Sequence, residues 1–139
     1  MTLTLAEAKQ IVEAALDHAR ENSARISVCV CDENGRFIAL NRMDGAVVTA
    51  NRQAIGKALA SAATGRRSDY MPAPGEASGS VSTVKGEGMP LSHRQGGLPI
   101  YRNGTLVGAC GVGGADSDPT NEACASAGIG AVAGLRPAL

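Results

Sequence analysis

A chain of 139 residues has the length of one domain with a single core. Its 13 basic and 13 acidic residues cancel, and only Phe37, Tyr70 and Tyr101 are aromatic, which argues against a nucleic-acid surface built on positive charge and base stacking. No apolar run approaches the ~20 residues of a membrane span, and the opening MTLTLAEAKQ lacks the basic and apolar regions of a signal peptide, so a cytoplasmic protein is expected.

In chain order, Thr4 and Glu7 form a capping box, and Ala8, Ile11, Val12, Ala15 and Ala19 recur at helical spacing, predicting a first helix to about Asn22. Ile26 to Cys31 is apolar and β-branched, Asp32-Glu33-Asn34-Gly35 is turn chemistry, and Arg36 to Arg42 returns as the second arm of a hairpin. From Val47 to Thr64 an alanine-rich run reads as a second helix, ended by Gly65. Residues 66–95 are rich in Gly, Ser and Pro with little periodicity, long enough to be a lid or binding loop. Leu98, Ile100 and the alternating run Thr105 to Val112 form a second hairpin around Asn103-Gly104, and Asp118-Pro119 reads as N-cap and first residue of a last helix. Four strands and an expected fifth, with helices between antiparallel pairs, make an α+β domain. Much of its 44% apolar content is alanine and small aliphatics that bury little area each, which points to further burial in a homo-oligomer.

The strand-to-helix mouth is the first candidate site. Gly96, Gly97, Gly111, Gly113 and Gly114 remove side chains beside a helix start whose free amide hydrogens favour an anion or a close-packed cofactor edge. The same glycines would equally let helix and strand pack closely. Just upstream, His93 and Arg94 could supply an imidazole that moves a proton near neutral pH and a clamp for a carboxylate, with Glu122 as a further carboxylate in the last helix. Asp32 and Asp44 suit turns, and Arg42 and Lys57 are cations able to pair with these acids. Cysteine spacing matches no zinc site, no metal is expected, and in a cytoplasmic chain Cys29, Cys31, Cys110 and Cys124 should be free thiols.

The blocks ISVCVCDENGRFIALNRMDGA, AIGKALASAATGR, GGLPI, GTLVGACGVGGA and NEACASAGI, in this order over nearly the whole chain, resemble the GlcG/HbpS-like family of haem-binding and haem-degrading domains. The resemblance implies one domain over residues 1–139 with a profilin-like three-layer α/β/α fold, a five-stranded antiparallel sheet, and assembly into dimers, tetramers or octamers. Family members include haem-binding and haem-degrading proteins as well as proteins of glycolate and other small-molecule pathways, so haem is one cofactor that the resemblance makes possible. His18, bordering the apolar face of the first helix, and Cys124 would then be iron-ligand candidates, beside Gly96, Gly97 and Gly113. Where relatives often carry Asp before the position of Glu122, this chain has Asn121, so a site needing two adjacent carboxylates is not expected. Two functions stand on these residues. One is a small-ligand-binding protein of the tetrapyrrole type; the alternative is a lyase, isomerase or hydrolase using His93 as acid/base over a glycine-lined anion cradle.

Overall fold

A computed structural model describes residues 2–71 and 88–138. Helix α1 (Leu5–Glu21) begins at the capping box, where Thr4 Oγ1 accepts from Glu7 N at 3.1 Å and Glu7 Oε1 accepts from Thr4 N at 3.0 Å. Strands β1 (Ser27–Asp32) and β2 (Phe37–Arg42) form the first hairpin, its turn held by Asp32 Oδ1, which accepts from Asn34 N and Arg36 N at 2.9 Å each. Helix α2 (Ala50–Thr64) starts three residues later than the alanine-rich run predicts, because Thr49 makes no side-chain cap bond and Val47 and Val48 stay exposed ahead of it.

The second hairpin joins β3 (Gly97–Arg102) to β4 (Thr105–Gly113) through Asn103 and Gly104, both at positive φ (52° and 78°), as a two-residue turn with the strands' right-handed twist requires. Helix α3 (Asp118–Gly130) is capped by Ser117, not by Asp118 as the sequence pattern suggests. Ser117 Oγ accepts from Thr120 N at 3.3 Å, which puts Asp118 inside the first turn and releases its carboxylate for other partners. A two-residue strand β5 (Leu135–Arg136) completes an antiparallel five-stranded sheet ordered β2-β1-β4-β3-β5.

Strand alternation sorts the side chains into two layers. Val28, Val30, Leu98, Ile100, Cys110 and Val112 face α1 and α3 in the larger core, while Cys29, Cys31 and Ala109 face α2. Every residue of α2 from Ala54 to Ala62 is buried, because the returning chain near Ser92 lies against Gly56 on the side away from the sheet. The expected three-layer α/β/α arrangement is thus the observed one.

Candidate functional site

The glycines of the strand-to-helix mouth carry α2. A Cβ on Gly97 would stand 2.5 Å from the Lys57 carbonyl oxygen, one on Gly113 2.5 Å from Gln53 Cβ, and one on Gly111 would run into the Ala54 carbonyl. Backbone-to-backbone contact therefore fills this floor, the close-packing role open to these residues from the start. Gly96 differs. At φ +138° its missing Cβ would lie 2.8 Å from both Lys57 Nζ and the Val112 carbonyl oxygen, so glycine is what admits the lysine head.

Lys57 is 1% exposed, in the middle of α2. Its ammonium donates to Val112 O at 3.1 Å and to Asp118 Oδ1 at 3.5 Å. The other carboxylate oxygen of Asp118 accepts from Arg94 Nη2 at 3.1 Å and Nε at 3.3 Å. Burial pushes the Lys57 ammonium below its ordinary value against the pull of Asp118. For Asp118 burial acts upward, but Lys57 and Arg94 outweigh it and hold the carboxyl below its usual range. Asn121, 1% exposed, accepts from Ala115 N at 3.0 Å and reaches Asp118 Oδ1 at 3.5 Å, so an amide at this position serves the turn into α3. Ser68 closes the arrangement: its hydroxyl donates to Arg94 O and accepts from Gly97 N at 2.8 Å. Asp118 was read only as a helix cap, and Lys57 as a partner for the other acids. The signal for the pair was a lone lysine with alanine, glycine or leucine at most neighbouring positions of AIGKALASAA, where a charge has no solvated face.

The remaining candidates are spread over the molecule. Arg94 is bound to Asp118, whereas Glu122 faces Arg67, with Oε1 at 3.9 Å from its Nε. His93 is half-buried, and its Nδ1 is enclosed with no hydrogen-bond partner among the described residues. Cys124 is 0% exposed in the larger core, and burial pushes its thiol up to about 11. Burial likewise raises Cys29 to about 12 and shifts Cys31 and Cys110 upward, so all four thiols are free and sealed. His18 is half-buried on the last turn of α1, in the layer across the sheet from α2. Among the described residues no three His, Cys, Asp or Glu side chains gather at metal-binding distance.

Open space lies elsewhere. A groove of about 710 Å³ runs between the end of α2, the segment to Tyr70, Pro99 and Tyr101 of β3, and Pro137. Arg66 stacks on Tyr70 with its guanidinium carbon 4.5 Å from the ring centroid, Arg67 forks onto Asp69 at 3.1 Å through Nε and Nη2, and the Tyr101 hydroxyl donates to Gly65 O at 2.7 Å. A second groove of about 470 Å³, with Gln95, Leu98, Pro119 and Glu122 in its wall, adjoins it through Arg67.

Fold and grooves together define a small α+β domain of three helices on a five-stranded antiparallel sheet. The family model for haem degrading protein HbpS-like matches residues 3–130, and the chain belongs to this GlcG/HbpS-like family. Protein GlcG of Escherichia coli K12 is 32% identical over 105 residues, covering 76% of each chain. The crystal structure of a Streptomyces reticuli HbpS double mutant superposes with a TM-score of 0.78 at 28% identity over 95% of this chain and 88% of that one. A PduOC–haem complex superposes with a TM-score of 0.82 over the whole of both chains at 20% identity, a likeness of fold. No described helix is long and apolar enough to cross a membrane.

Proposed function

We propose that this protein is a cytoplasmic, homo-oligomeric binding protein for a small ligand of the haem type, with His18 as the iron-ligand candidate. The family match over residues 3–130, under a name that refers to haem, carries this reading. Of the two iron-ligand candidates, His18 and Cys124, only the imidazole is exposed enough to reach a ligand, since the thiol is enclosed and kept protonated. Haem, when bound, would supply its own iron chemistry. The chain would contribute the His18 imidazole, half-buried on the last turn of a well-capped helix. The exposed Leu40, Val47 and Val48 support burial between subunits, as a dimer, tetramer or octamer.

The alternative, an enzyme using His93, is supported by the enclosed and unpartnered Nδ1 of that residue. It is the weaker reading because Arg94, its intended anion clamp, already binds Asp118, and Glu122 faces Arg67. Hemin titration tests the preferred reading. A saturable Soret shift that is lost in His18→Ala supports it, and weak, nonsaturating absorbance by the unaltered protein overturns it.

A further inference from the structure

We propose that the 710 Å³ groove at the end of α2 is a separate binding site for a small planar carboxylate, anchored by Arg66. Its volume lies within the range of small-molecule pockets. Flat groups line it: the ring of Tyr70, the ring of Tyr101 with its hydroxyl already bonded to Gly65 O, and the pyrrolidines of Pro99 and Pro137.

Charge then selects the ligand. Arg67, Asp69 and Arg66 are the ionic side chains of this groove, and Arg67 and Asp69 are forked together. Arg67 also faces Glu122 of the adjoining groove at 3.9 Å, which leaves Arg66 as the cation here without an ion-pair partner among the described residues. The face of the Arg66 guanidinium rests on Tyr70. Stacking occupies the face of a guanidinium and leaves its in-plane N–H donors available, so the ring holds the cation in place without using its hydrogen bonds. A carboxylate matches two parallel donors of that fork, and a flat body attached to it fits against Tyr101 and the prolines. Groove and guanidinium lie on the α2 side of the sheet, where Tyr101 meets Gly65, so this site does not depend on the haem reading or on His18.

The test uses benzoate as probe and benzyl alcohol, the same ring without the charge, as control. Two-dimensional amide NMR of the full chain follows both. The expected result is a saturable benzoate shift confined to residues 64–70, 99–101 and 136–138, an affinity for benzyl alcohol at least tenfold weaker, and at least tenfold loss of benzoate affinity in Arg66→Gln. Arg66→Lys keeps the charge but not the fork, and should recover only part of the affinity. Equal binding of the two probes, benzoate shifts centred elsewhere, no saturable shift, or an Arg66→Gln protein that binds benzoate like the unaltered chain would each overturn the proposal. Arg66 is exposed and makes no ion pair among the described residues, and an unchanged amide spectrum of the free variant shows that the loss is local.

Discussion

Glu7→Gln isolates the ion pair that ties the start of α1 to the end of β3. Arg102 Nη1 and Nη2 each donate to one oxygen of Glu7 at 2.8 Å, and the two side chains are 21% and 18% exposed. The Arg102 bond first, and the Thr4 amide second, lower the Glu7 carboxyl from 4.5 to about 2. At about 1.4 kcal/mol per unit that drop has a ceiling near 3.5 kcal/mol, and water at this partly exposed pair reduces it to about 1–2 kcal/mol. Glutamine keeps an oxygen for Thr4 N, so the cap survives while the charge is lost. Arg102 Nε is already enclosed without a partner among the described residues, which leaves the guanidinium little alternative bonding there once the carboxylate goes.

The folded pKa lies below the unfolded one, so the contribution is full above about 4.5 and fades as pH falls towards 2. Urea denaturation across that range should show the unaltered protein about 1–2 kcal/mol more stable than Glu7→Gln at neutral pH, with the two curves converging near pH 2. A neutral-pH difference below about 0.3 kcal/mol, or one that persists at pH 2, would refute the reasoning.

Two further substitutions test the packing. Gly111→Ala should cost at least about 2 kcal/mol, because both its neighbours are α2 backbone, whereas Gly104→Ala, at φ +78° in open space, should cost about 1 kcal/mol of turn strain; equal effects in thermal melts would undermine the claim that α2 rests on the glycines. For Lys57, whose folded pKa is depressed, the unfolded chain holds the proton more tightly. The unaltered protein should therefore gain stability relative to Lys57→Met as pH rises through the folded value towards 10.5, and parallel pH–stability curves would contradict the buried-ammonium account.

Much of this protein was written locally. The capping box, the Asn103-Gly104 turn and the alternation of β1 and β4 are short-range patterns whose geometry follows from backbone sterics and side-chain period, and the ordered family blocks carried the rest of the fold. The site was less legible. Chain order suggested that Gly97 and Gly113 face a ligand, but only the packing of α2 shows what presses on them. Asp118 looked like a cap until Ser117 took that role and Lys57, 61 residues away in sequence, reached its carboxylate. A buried charge is stable only with partners brought from distant segments, and which segments meet is a property of the closed sheet and its layers. The sequence by itself determined the elements and their family; the tertiary structure decided which polar groups are enclosed, which are paired, and which, like Arg66, are left facing a groove.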